Sequence, residues 1–349
     1  IEAGFTPVVT HLHGGETRFQ FDGSPEAWYT QTQGAKGPAE VGPEYSGTRY
    51  TYDNDQVAAP LWYHDHALGL TRLNVYAGLA GVYDLTDDWE RELQAGVDNG
   101  NTFIDLPDAK IPLVIQDKAF TTAGELYFPA LDGDLLPDGN GGSGDVGDET
   151  GEFFDLNLHP KNDGAASALP EFAGDHILVN GVAWPNFDVG NCGYTFKLLN
   201  GSDSRFYVLD FVEIDENGAI SNTNPDIEVL AIAGDGGFLP SAADISQGTV
   251  LAPGDRLDVM VDFSGLFDAD GEVDLDEGHS IRLINKGPDY SPFKAFNNPD
   301  DVTSGLYGAT AATIDDPVGN VMQFRPDASI AAETVSLDDG DPLWPADDP

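Results

Sequence analysis

Basic residues are scarce. The 349-residue chain sets 15 Lys and Arg against 61 Asp and Glu, a formal net charge of −46. A nucleic-acid footprint needs clustered cations and an anionic bilayer repels such a surface, so neither nucleic acid nor membrane is expected as a partner. Cysteine is scarcer still. Cys192 is alone, so no intrachain disulfide can form and the redox compartment is left open. No run of about 18 apolar residues is present to span a bilayer as a helix. The chain opens on "IEAGFTPVV" with no initiator Met, charged start or apolar signal core, and its amino end is expected to have been processed or cut. Helical periodicity is almost missing: "DWERELQAGV" (88–97) is the one stretch that could make a few turns, and a Gly-Val-Asp-Asn-Gly end stops it.

What is present belongs to a folded protein, with 40% hydrophobic and 10% aromatic residues. Such an acidic chain repels itself in dilute buffer, and screening over a Debye length of about 3 Å requires roughly molar salt. A high-salt habitat is the expectation.

Short β-branched and aromatic runs dominate: "IPLVIQD" (111–117), "HILVNGVAWPNFDV" (176–189), "YTFKLLN" (194–200), "FYVLDFV" (206–212), "IEVLAIAG" (227–234), "LDVMVDF" (257–263) and "SIRLIN" (280–285). Turn residues such as Asn180-Gly181 and Asp235-Gly236-Gly237 separate them, which is the pattern of an all-β sandwich or barrel. A boundary is expected near residue 105. It divides a partial first domain, 1–105, from a fuller second one, 106–330, and 331–349 reads as a linker. Two acidic, Gly-rich inserts (131–152 and 268–278) lack the full ligand spacing of a Ca²⁺ loop and read as solvated loops.

Seven histidines occur, and four form two H-x-H pairs, His11/His13 in "THLHGGE" and His64/His66 in "LWYHDHALG". On a strand, residues i and i+2 share a face, so each pair aims two imidazoles at one side. Imidazole donors without Cys or patterned carboxylates suit Cu, Zn, Fe or Ni better than Mg or Ca. His159, His176 and His279 are isolated and read as ordinary hydrogen-bonded residues. Trp62 and Tyr63 read as aromatic walls of a core, and Arg72, Asn74 and Tyr76 as braces of the strand after the site. The residues alone allow a Zn-dependent hydrolase, although that would call for further ligands on strands alternating with helices. They also allow a non-catalytic copper-binding β-sandwich.

The blocks "HLHGGE…DGSPEAWYT" (11–30) and "LWYHDHALGLTRLNVYAGLAGVY" (61–83), continued by "ILVNGVAWPNFDV", "YTFKLLNGSDSRFYVL", "GDGGFLP" and "VLAPGDRLDVMVDFSG", resemble the multicopper oxidases. The likeness is to their spore-coat laccase and bilirubin oxidase branch. It implies tandem cupredoxin-like Greek-key sandwiches and a trinuclear copper cluster that reduces O₂ to water. Electrons would come from phenolic or aromatic donors, or metal ions, through a type 1 copper. It further implies His11 as a type 2 ligand, His13, His64 and His66 as type 3 ligands, and Asp22 as the carboxylate that orients water or relays protons. The family's remaining histidines, in HPxHxH and HCHxxxH segments, do not occur in this chain. Cys192 in "GNCGY" has no His beside it, so the type 1 ligands are absent. The expectation is therefore half of the cluster's ligands, with a missing C-terminal cupredoxin domain or a completing chain supplying the rest. A two-domain nitrite reductase is disfavoured because its type 1 cysteine belongs in the first domain. Secretion is the expected localisation.

Overall fold

The computed structural model describes residues 6–30, 40–98, 102–127, 173–287 and 313–344. His159 and the insert 131–152 lie outside the described residues. The first unit contains β1 (Pro7–Val8), β2 (Thr10–His13), β3 (Tyr29–Thr30), β4 (Ala59–Asp65), β5 (Ala80–Leu85), β6 (Val97–Asp98) and β7 (Phe103–Ile104). Two short helices, α1 (Thr71–Tyr76) and α2 (Asp88–Gln94), flank β5. The second contains β8 (Lys110–Phe120), β9 (Leu126–Tyr127), β10 (His176–Val179), β11 (Val182–Ala183), β12 (Asn186–Val189), β13 (Gly193–Asn200) and β14 (Tyr207–Ile214). It continues with β15 (Ile220–Asn222), β16 (Glu228–Gly234), β17 (Gly237–Asp244), β18 (Thr249–Leu251), β19 (Arg256–Asp262), β20 (Ser280–Asn285) and β21 (Asn320–Pro326).

In the second unit two sheets face each other. One runs β11-β10-β8-β13-β19-β16-β17 with β9 beside β8, and the other runs β12-β21-β20-β14-β15 with β18 beside β14. Neighbours that are distant in sequence make this a crossed-over sandwich of the expected all-β class. Phe196, Phe263, Phe324, Tyr207 and Ile281 fill the space between the sheets. β13 is buried along its whole length because both its faces are covered. Phe196 and Leu198 enter the inter-sheet core, while Lys197 points the other way, towards the first unit.

The outer face of the larger sheet is sealed by a second apolar cluster. Leu93 from α2 and Ile104 and Leu106 from the connector pack on Leu230, Ile232 and Met260. The acidic tail joins them. The stretch 331–349, expected as a linker, is docked over its described part: Leu337 and Leu343 are buried in this cluster, and Trp89 donates its indole N–H to the Leu343 carbonyl at 2.9 Å.

The first unit is thinner. Strands β2-β4-β5 form a three-stranded antiparallel sheet with a small core of Leu12, Ala59, Leu61 and Leu85. The helix expected over 88–97 forms as α2, capped by the Asp87 carboxylate accepting from the Glu90 N–H at 2.8 Å. Tyr63 is not core: its ring stands on the outer face of β4 and is 43% exposed, whereas Trp62 is buried.

Candidate functional site

Register brings the two histidine pairs together. In the β2–β4 ladder His11 lies opposite His64 and His13 opposite Trp62, so both pairs and the indole share one face. Ring centroids are 5.5 Å apart for His11–His13, 5.3 Å for His11–His64, 4.9 Å for His11–His66 and 5.5 Å for His13–His64. Ligand atoms of His11, His13 and His64 lie within 4.8 Å of one another, the one such group of three or more metal-binding side chains among the described residues. His66 closes the fourth side against His11 and His64.

The backbone decides which nitrogen each ring presents. His11 Nδ1 lies 2.6 Å from the Asp22 carbonyl, His64 Nδ1 2.7 Å from the Asp65 carbonyl, and His66 Nδ1 2.9 Å from the Gly23 carbonyl. A carbonyl can only accept, so these three rings carry their proton on Nδ1 and leave Nε2 as the free lone pair. His13 differs: its Nδ1 faces His64 Nε2 at 3.2 Å. Three Nε2 lone pairs are thus offered, and His13 Nδ1 converges on the same space. The Asp22-Gly23 turn serves two of the rings at once, and Gly23 is needed there: its φ is +78°, and a Cβ would strike the Thr10 carbonyl.

Electrostatics keep the rings ready to ligate. Burial, followed by the charge of Arg256 and the neighbouring imidazoles, lowers His13 to about 4. Burial also pushes His64 below the usual histidine range. A metal ligand must be neutral imidazole, and these two are neutral at pH 7. Trp62 stacks on His13 at 5.1 Å and lies 4.2 Å from His64, walling the cluster. Its indole N–H is buried without a partner.

Asp22 sits behind His11. Its carboxylate lies 3.4 Å from His11 Nδ1 and accepts from the Thr17 hydroxyl at 2.8 Å. It therefore orients the ring from the side away from the free nitrogen.

Two site residues, Asp65 and Arg256, left no signal in the sequence. Asp65, between the two histidines of the second pair, accepts from the Val9 N–H at 2.8 Å, the Ala67 N–H at 3.1 Å and the Asn74 amide at 2.9 Å. This buried carboxylate fixes the H-D-H turn. Asn74, on α1, also donates to the Pro7 carbonyl at 3.0 Å, so it ties the H-D-H turn to β1 and not to the strand that follows. Arg72 forks onto Asp203 of the second unit, and the Tyr76 hydroxyl reaches the Tyr127 carbonyl at 2.6 Å. Arg256 reaches in from β19.

Cys192 is buried in the apolar core of the sandwich, its thiol pushed up by burial. Among the described residues it joins no group of metal-binding side chains. His176 pairs with Asp175 and His279 with Glu213, each at 2.6 Å, away from the cluster.

No family profile matches the chain. Among curated proteins it is 34% identical over 334 residues to a laccase of Bacillus stratosphericus, covering 95% of this chain and 54% of that one. It is 32% identical over 262 residues to a laccase of Haloferax volcanii, covering 74% and 35%. Among solved structures, the multicopper oxidase McoA of Aquifex aeolicus superposes with a TM-score of 0.56 at 24% identity, covering 95% of this chain and 53% of that one, and shares the fold. The chain spans about half the length of the laccase from Bacillus stratosphericus. With two histidine pairs converging on one face of paired strands, and this likeness along nearly its whole length, the chain belongs to the multicopper oxidase family.

Proposed function

We propose that the histidine cluster is one side of a copper site in a laccase-like oxidase. The whole protein would couple one-electron oxidation of phenolic or aromatic donors, or metal ions, to four-electron reduction of O₂ to water. One observation carries the reading: four imidazoles, on β2 and at the end of β4, converge, three of them with Nε2 freed by a carbonyl hydrogen bond at Nδ1. Relatives named laccase support the reaction class.

The donor set fits copper. All four ligands are imidazole, a donor type that suits Cu, and no thiolate or carboxylate cage competes among the described residues. His11 would hold the type 2 ion, and His13, His64 and His66 the type 3 pair. Bound copper supplies the electron-accepting centre at which O₂ is reduced. The chain's own residues do the rest. Asp22, Asp65 and Gly23 fix the ring orientations, Trp62 excludes water from one wall, and the half-exposed Asp22 carboxylate is placed to exchange protons with solvent. The remaining cluster ligands and the type 1 centre would come from a further cupredoxin domain or a completing chain. Export and a high-salt environment belong to the same proposal.

Titration with Cu²⁺ in molar KCl tests the reading. The expected result is an electron paramagnetic resonance signal with imidazole nitrogen couplings and no intense blue thiolate band. His64→Ala combined with His66→Ala is expected to abolish most uptake, and His176→Ala to leave it intact. Equal loss in both variants would contradict the assignment.

A further inference from the structure

We propose that Arg256 is a positioning residue of the copper site, a guanidinium from the second sandwich that fixes the strand and turn carrying the ligands. The inference rests on the copper reading above.

Arg256 opens β19 and its side chain is 4% exposed. Nε donates to the Pro60 carbonyl of β4 at 2.9 Å, across 196 residues of sequence. Pro60 precedes Trp62 by two positions and His64 by four, so the bond sets the height of the strand that carries both. Nη1 donates to the Gly254 carbonyl at 2.9 Å, and Nη2 to the Asp235 carbonyl at 3.3 Å. Nη2 also lies against Gly14, the residue after His13: a Cβ on that glycine would stand 2.6 Å from it. The turn behind Arg256 touches the site as well. A Cβ on Gly254 would lie 3.7 Å from the Trp62 ring and 4.0 Å from His13 Cε1.

One planar fork therefore bonds β4, the Gly254 turn that walls His13 and the Asp235 carbonyl, and packs against the turn after His13. Lysine, whose three donors sit on one compact nitrogen at the end of a flexible stem, cannot span three carbonyls set around a planar guanidinium. The charge itself is met locally, because the Asp235 carboxylate lies 3.1 Å from Nη1. What the side chain supplies to the ligands is their position.

The test compares Cu²⁺ affinity by chelator competition, the copper resonance spectrum and thermal stability in the chain and three variants, all in molar KCl. Arg256→Lys keeps the charge and loses the fork, and Arg256→Met loses both. Lys110→Met is the control, since it removes a different tie between the units, to Asp84 and Glu90, outside the histidine cluster. Both Arg256 variants are expected to bind Cu²⁺ about 10- to 100-fold more weakly, with a broadened or shifted spectrum. The control is expected to melt lower and bind normally. Tighter binding in Arg256→Met would show that charge was the contribution and overturn the proposal. Wild-type affinity in Arg256→Lys, or an equal loss in the control, would also overturn it. If Arg256→Met does not fold, Arg256→Lys decides alone. A wild-type chain that takes up no copper would defeat the copper reading itself, an outcome distinct from equal binding by wild type and variants.

Discussion

The two units are built in opposite ways. The second is a sandwich whose two sheets enclose a continuous core of aromatic and branched side chains. The first buries only a handful of apolar groups, and Phe19, Leu68 and Tyr63 stand exposed on it, yet it carries all four histidines of the candidate metal site. The contrast teaches that the site is rigid by attachment. Buried polar struts cross from the well-filled sandwich to the thin sheet. Lys197 reaches Asp84 at 2.9 Å and its own neighbour Asp258 at 2.6 Å, and Lys110 reaches Glu90 at 3.2 Å. Arg72 pairs with Asp203 at 2.6 Å and Arg256 holds Pro60. Apolar burial stabilises in proportion to area, which a three-stranded sheet lacks, whereas charged hydrogen bonds fix direction.

Salt should break this comparison most severely. With a net charge of −46, lowering KCl from molar to millimolar is expected to unfold the first unit before the sandwich. Copper would be released before far-ultraviolet circular dichroism is lost; simultaneous loss would mean the units are equally stable.

Lys197→Met comes next. It strands Asp258, already pushed up to about 6 by burial, and leaves Asp84 and Glu90 to Lys110 alone. Removing one partner of such a group costs about 3–5 kcal/mol, readable as a lowered urea midpoint. Arg72→Met leaves the buried Asp203 carboxylate short of its partner and is expected to cost about 1–3 kcal/mol, measured the same way.

The smallest effect is a pH dependence confined to the sandwich. The Glu213 hydrogen bond raises His279 above the usual histidine range. The folded state therefore holds this proton more tightly than the unfolded chain. Its contribution is complete below about pH 6.5 and fades as pH rises through the elevated value. His279→Gln should flatten the stability curve of the sandwich in that interval and leave copper release unchanged.

Much of this was legible in the chain. "SIRLIN" coincides with β20 and "YTFKLLN" falls within β13, because alternating or continuous branched residues between turns leave a local signature. The H-x-H spacing announced the site, since a period of two needs no tertiary knowledge. What escaped were contacts between residues far apart. Lys197 sits inside the strand run "YTFKLLN", and nothing local shows that it meets Asp84 across the unit boundary. Arg256 stands just before the strand run "LDVMVDF" with no sign that its side chain leaves the sandwich. The tail's Leu337 and Leu343 were diluted among acidic residues, so their burial was hidden by composition. Tyr63 was misplaced because an aromatic beside a buried one on a strand alternates outward.

The most direct test of the central claim is pulsed electron paramagnetic resonance on a single equivalent of Cu²⁺ bound in molar KCl. The account predicts couplings from three or more imidazoles, with weaker coupling patterns in His11→Ala and in His64→Ala. A spectrum of carboxylate-bound copper, unchanged by either substitution, would contradict it.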